Sequence, residues 1–220
     1  MGAGTSINVK ERFFRMSLSR AYLGMQCFWG ESAFAKLKGV KKTRVGYAGG
    51  TTVNPTYRNI GDHTEVTEVQ FDPAEISYRQ VLDFFWSHHN PAERRKKQYQ
   101  SAILYETEDE KKIAELTYSQ AKAKYGEIET YVVKLDKFYQ AEDYHQKYWL
   151  RQRHDIFNEL KLTDDQVANS VLAAKMNAYC AGYTDFSELE ELKKQHGLSD
   201  SLVERVKQFA SCGGDPRSCH

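Results

Sequence analysis

Between residues 17 and 135 the chain changes its hydrophobic period repeatedly, and the order of those changes leaves few folds open. Residues 17–23 alternate loosely and read as a strand. Residues 28–38 place Phe34 and Leu37 on a helical period and stop at Gly39. A second strand, 40–47, runs into Gly46-Tyr47-Ala48-Gly49-Gly50, a loop covers 51–61, and His63 to Phe71 alternates in period two. Asp72-Pro73 breaks that strand, and Ser77 or a neighbour opens a helix with Val81, Leu82, Phe84 and Phe85 on its buried side. After a polar loop over 88–97 come a strand at 101–105, a helix over 108–125 opened by a Thr107–Glu110 capping box, and a strand at 129–135. Strand, helix, strand, strand, helix, strand is the split βαβ order. The expected fold is therefore α+β, a two-layer ferredoxin-like sandwich.

The rest of the chain reads as helical. A tyrosine-rich stretch from Tyr139 to Tyr148 starts a helix, and Thr163-x-x-Gln166 is a second capping box that introduces an amphipathic helix through Met176. Residues 177–183 read as a loop, and helices are expected at 185–195 and 200–210. From Ser211 onward the turn and breaker residues predict a mobile tail that carries cysteines. The expected organisation is a flexible tail over 1–16, a main domain over 17–160 and a helical C-terminal extension over 161–220. At 220 residues, 40% hydrophobic and 28% charged, the chain can bury one sizeable core and a small appendage.

A net charge of +1 gives no whole-protein field for nucleic acid, membranes or strongly acidic partners. The cysteines, at positions 27, 180, 212 and 219, do not make a disulfide scaffold and read as cytosolic thiols available for redox work. No apolar run reaches membrane-spanning length, so no membrane span is expected. Met1-Gly2-Ala3-Gly4-Thr5-Ser6 fits the N-myristoylation pattern, and Arg12, Arg15 and Arg20 fit a poor mitochondrial address. An untargeted, cytoplasmic, monomeric protein is the expectation set above both.

Chemistry concentrates where the first strand meets the first helix. Cys27 sits there, and a helix N-terminus supplies partial positive charge and unpaired N–H groups that favour thiolate over thiol. The competing reading is an inert buried cysteine, the commoner fate of a free thiol. Phe28 and Trp29 follow it directly, an odd opening for a solvated helix unless they face a pocket. A nucleophilic thiol needs an acid and hydrogen-bond donors. Glu65, early in its strand, is a candidate acid if partial desolvation raises its pKa, against the alternative of a solvated strand glutamate. Tyr57 and Tyr99 are loop phenols able to donate to a developing oxyanion, or simply packing residues. Neither Cys-x-x-Cys nor His-x-x-x-His occurs, so no metal site is expected. Arg94-Arg95-Lys96-Lys97 is either a small anion-binding patch or a solvated loop.

Six segments in order then resemble one family. Cys27-Phe28-Trp29-Gly30-Glu31, Gly46-Tyr47-Ala48-Gly49-Gly50, Asn54-Pro55-Thr56-Tyr57, Gly61-Asp62-His63-Thr64-Glu65-Val66, Gln98-Tyr99-Gln100-Ser101-Ala102, and the run from Phe138 to Gln146 resemble peptide methionine sulfoxide reductase A. The resemblance implies repair of oxidative damage: Cys27 attacks the sulfur of a methionine S-sulfoxide, free or in a protein, and becomes a sulfenic acid. It implies Glu65 as the proton donor, Tyr57 and Tyr99 as donors to the sulfoxide oxygen, and Phe28 with Trp29 as the apolar wall for the substrate methyl. No cofactor is implied. A resolving thiol forms a disulfide with Cys27, and thioredoxin is the implied reductant and partner.

The chain departs from the family's pattern in places. Gln26 stands where a glycine usually precedes the cysteine, the loops before Glu65 and Tyr99 are shorter than in many members, and an aspartate many members carry ahead of the glutamine-tyrosine pair has no counterpart. Asn177-Ala178-Tyr179-Cys180-Ala181-Gly182 resembles the family's resolving segment, which favours Cys180 for the first exchange, with Cys212 or Cys219 completing a relay. Two other readings compete. A thiol peroxidase would share the nucleophile without needing Glu65 and the tyrosines, and an RNA-binding sheet would use the Arg94–Lys97 run but would require an aromatic Gly-Phe motif that is missing.

Overall fold

The strand that becomes β1 (Ser19–Gly24) is buried on both faces from Ala21 onward, and it lies in the middle of the sheet. The computed structural model describes residues 17–25 and 29–213. After β1 come α1 (Trp29–Ala35), β2 (Val40–Ala48), β3 (Thr64–Phe71), α2 (Tyr78–Ser87) and β4 (Ala102–Tyr105). β1 pairs antiparallel with β3 and β4, and β2 pairs antiparallel with β3, which gives the split βαβ order β4-β1-β3-β2. After α3 (Glu108–Tyr125), β5 (Tyr131–Lys134) joins parallel to β4, and the two-residue β6 (Tyr139–Gln140) closes the other edge against β2.

Both faces of the sheet are covered, each by alternate residues of β1. Ala21 and Leu23 face the core under α1 and α2 with Phe34, Val81, Leu82 and Phe85. Tyr22 faces the opposite side with Val66, Ala102 and Leu104, covered by Phe138 and Tyr131. The period of two read in β3 is real, yet Glu68 on its second face is fully buried, held by the guanidinium of Arg44 and the hydroxyl of Tyr22.

Local chemistry explains the helix starts. Ser77 with Gln80 and Thr107 with Glu110 form capping boxes, each satisfying orphan N–H groups at both ends of the pair. Phe84, expected on the buried side of α2, is only half-buried; Trp86 takes the interior place beside Phe85.

The expected helix from Tyr139 is absent. Instead Tyr139–Gln140 lies against β2, where a Cβ on Gly46 would stand 2.4 Å from Phe138 Cζ. A single 3-10 turn, Asp143–His145, follows, and helix begins only at α4 (Tyr148–Gln152). Gln146 holds this path with its side chain, accepting from Val45 N–H and donating to the carbonyls of Val45 and Ala141.

A second core, built by α4, α5 (His154–Leu160) and the helices after them, gathers Leu150, Ile156, Leu172, Met176, Leu202 and Val206. The capping box at Thr163 opens α6 (Asp164–Asn169), but Ser170 ends that helix and caps the next, accepting from Ala173 N–H at 3.1 Å. One expected helix is thus two. α7 (Val171–Cys180) also runs through residues expected to be loop, because its side chains are buried all round between the two cores and Asn177 accepts from Leu150 N–H. After α8 (Leu189–His196), α9 (Asp200–Cys212) extends into the expected mobile tail, carried by buried Val206 and Ala210. Cys212 is therefore helical; Cys219 lies outside the described residues, as do Cys27 and Phe28.

Candidate active site

α1 is fixed through a carboxylate. Glu31, on its first turn and fully buried, accepts from Thr43 Oγ1 at 3.1 Å and from Lys147 N–H at 2.9 Å, and pairs with Lys147 Nζ at 2.7 Å. Lys147 adopts a left-handed conformation, φ 55°, and its ammonium also donates to the carbonyls of Thr43 and Ala168. The start of α1 is thereby pinned to β2 and to the segment after β6. Trp29 is its first residue, two positions after Cys27.

The loop between β2 and β3 is shaped by Asp62, which accepts from the N–H and hydroxyl groups of both Thr51 and Thr52. The Thr52 hydroxyl and these backbone donors hold its carboxyl well below the usual carboxylate range. Gly61 makes the bend possible: φ is 62°, and a Cβ there would collide with Thr52 Oγ1 at 2.0 Å. His63 accepts from Gly50 N–H at Nδ1 and donates from Nε2 to the Thr52 carbonyl, a pairing that needs the neutral Nε2–H tautomer.

This loop delivers Tyr57. Its N–H donates to Glu142 Oε1 at 3.0 Å, its ring lies 4.6 Å from that of His145, and its hydroxyl is 3.3 Å from the hydroxyl of Tyr99. Glu142 takes a second bond, 2.7 Å, from the Tyr47 hydroxyl. Burial works against its charge, but the donors, Tyr57 N–H and Tyr47 O–H among them, outweigh it, and the carboxyl stays below its ordinary range. Burial, then the bond to Glu142, raise the Tyr47 phenol, which remains a donor.

Tyr99 ends a 3-10 turn, Lys97–Tyr99, whose first carbonyl accepts from Thr64 Oγ1 at 2.8 Å. Gln98 donates to Glu65 Oε1 at 2.8 Å. The three candidates thus meet: Tyr57 and Tyr99 directly, and Glu65 through the residue before Tyr99. Two phenols in hydroxyl contact, with a half-buried carboxyl bonded to the residue before one of them, are a donor set of the kind suited to an oxygen that gains charge and then a proton. Among the described residues no group of three or more His, Cys, Asp or Glu side chains is placed to hold a metal ion.

The resolving candidates fare differently. Cys180 ends α7 inside the second core, 4% exposed, and burial pushes its thiol up to about 12. Cys212 is exposed at the end of α9. Sequence reasoning passed over Glu142, Tyr47, Glu31 and Lys147 as site residues. Their signal was present in part, since Glu31, Tyr47 and Glu142 lie inside the motifs that carry the resemblance.

Glu142→Ala removes the acceptor for the Tyr57 N–H and unties the loop from the segment after β6. We expect amide exchange at Tyr57 to speed up about tenfold, the loss of one charge-assisted bond, as read by hydrogen exchange. An unchanged rate would show that the loop holds itself.

Comparison with known proteins adds the following. A family model described as peptide methionine sulfoxide reductase matches residues 19–176. A peptide methionine sulfoxide reductase of Drosophila melanogaster is 39% identical over 184 residues, covering 81% of this chain and 75% of that protein. The rice protein named peptide methionine sulfoxide reductase A5 is 38% identical over 198 residues, covering 86% and 76%. Among solved structures, methionine sulfoxide reductase A of Corynebacterium diphtheriae superposes with a TM-score of 0.54 at 32% identity, covering 62% of this chain and 76% of that one. Reduced Mxr1 from Saccharomyces cerevisiae gives 0.57 at 27% identity, covering 62% and 86%.

Proposed function

The chain belongs to the peptide methionine sulfoxide reductase family and so reduces methionine sulfoxide; on that premise we propose which residues divide the work. The Cys27 thiolate attacks the sulfur of a methionine S-sulfoxide. The sulfoxide oxygen takes a proton from Glu65 while Tyr57 and Tyr99 donate hydrogen bonds to it, and Phe28 with Trp29 enclose the substrate methyl. Methionine leaves with its sulfur reduced by two electrons, and Cys27 ends as a sulfenic acid. A second thiol then displaces water to form a disulfide, which a thioredoxin dithiol reduces.

The observation that carries this reading is the pair of phenol hydroxyls 3.3 Å apart, with Glu65 held by the neighbouring Gln98. Two donors so placed suit one small oxygen. Four cysteines with no disulfide-scaffold spacing support a reducing, cytoplasmic setting.

For resolution, exposure favours Cys212, and seven residues beyond it Cys219 has a reach of up to ~25 Å on an extended chain. Cys180 joins the relay only when α7 opens, since its thiol is buried and held protonated.

The test is turnover of the two epimers of a small methionine sulfoxide with thioredoxin, its reductase and NADPH. The S epimer should be consumed and the R epimer left; equal consumption of both would overturn the assignment.

A further inference from the structure

Lys97 belongs to the basic run at 94–97, but its ammonium is turned onto the protein. Nζ lies 3.5 Å from the centre of the ring of Tyr131, the first residue of β5. The hydroxyl of the same tyrosine donates to Thr64 Oγ1 at 2.7 Å, and Thr64 Oγ1 donates to the Lys97 carbonyl at 2.8 Å. Tyr131 thus engages both ends of one residue, the side chain with its ring and the backbone through Thr64. The direction of this chain of bonds is fixed. A carbonyl only accepts, so the single proton of the Thr64 hydroxyl goes to Lys97, and Thr64 meets Tyr131 as an acceptor. Burial raises the Tyr131 phenol, which keeps it the donor that this order requires.

What these bonds hold is the turn Lys97–Tyr99. The Lys97 carbonyl accepts a second bond, 3.3 Å, from Gln100 N–H, which closes the turn around Gln98 and Tyr99. Two consecutive residues at the start of β3 therefore bond two consecutive residues of the turn: Thr64 the Lys97 carbonyl, and Glu65 the Gln98 side chain. Thr64 is fully buried. Room for the phenol is left at Gly49, where φ is 79° and a Cβ would stand 2.7 Å from the Tyr131 hydroxyl. The segment that ends in Tyr131 also straps the flanks of the loop. Glu129 N–H donates to the Pro91 carbonyl at 2.7 Å, and Gln100 Nε2 donates to the Glu129 carbonyl at 2.9 Å.

We propose that Thr64 and Tyr131 are positioning residues for the reduction, holding the Lys97–Tyr99 turn so that the Tyr99 hydroxyl stays beside that of Tyr57 and Gln98 stays on Glu65. The inference rests on the site assignment above and extends it to two residues that act through Tyr99 and Glu65. A donor displaced by a small distance still lets substrate bind but serves the transition state badly, so the loss falls on kcat.

The experiment measures kcat and KM for N-acetyl-methionine S-sulfoxide, with hydrogen exchange of the full chain alongside. Thr64→Val, which keeps the shape and removes the hydroxyl, should lower kcat about tenfold. Tyr131→Phe, which keeps the ring on Lys97, should lower it about three- to fivefold, and KM should move less than about twofold in either. Thr64→Ser restores the hydroxyl and should bring kcat to within about twofold of wild type. In a Tyr99→Phe background, Thr64→Val should cost less than about threefold more, because most of its effect passes through Tyr99. A further loss of about tenfold in that background overturns the proposal. So does a Thr64→Val kcat within about twofold of wild type, or a Thr64→Ser loss as large as that of Thr64→Val. Amide exchange at Tyr99 and Gln100 should speed up about tenfold in Thr64→Val, and unchanged rates overturn the proposal as well. This last readout needs no turnover: if Tyr99→Phe leaves kcat untouched, the site assignment fails, while faster exchange still shows that Thr64 holds the turn.

Discussion

Glu65→Gln is expected to lower kcat for methionine S-sulfoxide by about 10²–10⁴-fold with little change in KM, and Cys27→Ser to remove turnover altogether. In the proposed reaction the oxygen leaves sulfur only as it gains a proton. Gln98 donates to Glu65 Oε1 at 2.8 Å and so orients the carboxyl. The amide replacement keeps the size of the side chain and its bond to Gln98, while Tyr57 and Tyr99 stay in place. Binding therefore survives and the chemical step suffers. Single-turnover release of methionine without reductant isolates that step from disulfide exchange. A variant retaining more than about one tenth of the wild-type rate would move proton donation to a tyrosine, and Tyr57→Phe and Tyr99→Phe would then show the larger losses.

Lys147→Met should cost about 3–5 kcal/mol of stability, because it leaves the carboxylate of Glu31 fully buried without its counter-ion. The carbonyls of Thr43 and Ala168 lose their donor in the same substitution. Methionine matches the length of the lysine stem and bears the left-handed backbone at a similar cost, so the loss reports the charge rather than the packing. Adding Glu31→Gln should recover part of the loss, since the orphaned charge disappears. Urea unfolding of both variants provides the measure: a single variant within about 1 kcal/mol of wild type would mean that Glu31 takes up a proton or water reaches it.

The elements that could be read from sequence were those whose cause is local. Ser77, Thr107 and Thr163 announce helix starts with residues three positions apart, and the alternation of β3 needs no knowledge of its neighbours. Where the cause is distant, reading failed. α7 is buried on all sides, so residues 177–180 show no 3.6 period to mark them as helix. β6 exists because Gly46 lets Phe138 and Tyr139 approach, a cause more than ninety residues away. The same split runs through the site. Cys27, Tyr57, Glu65 and Tyr99 stand out by motif, whereas Glu142 acquires its role from Tyr57, 85 positions earlier, and Lys147 from Glu31, 116 positions earlier. The state of Cys180 is set by packing, and residue type alone does not disclose it.

The wall between the two cores is made of the smallest side chains available: Ala35 of α1 against Ala174 and Ala178 of α7, with Lys175 Nζ reaching across to the Leu37 carbonyl just past the end of α1. Such a seam cannot be cut cleanly. A fragment ending at residue 160 would bare the alanine face of α1 and strip a donor from Leu37 and an acceptor from Lys147. Swapping the C-terminal helices for those of a relative would succeed only with alanine-sized residues at matching positions. The helical extension is, in engineering terms, a wall of the reductase rather than a detachable module.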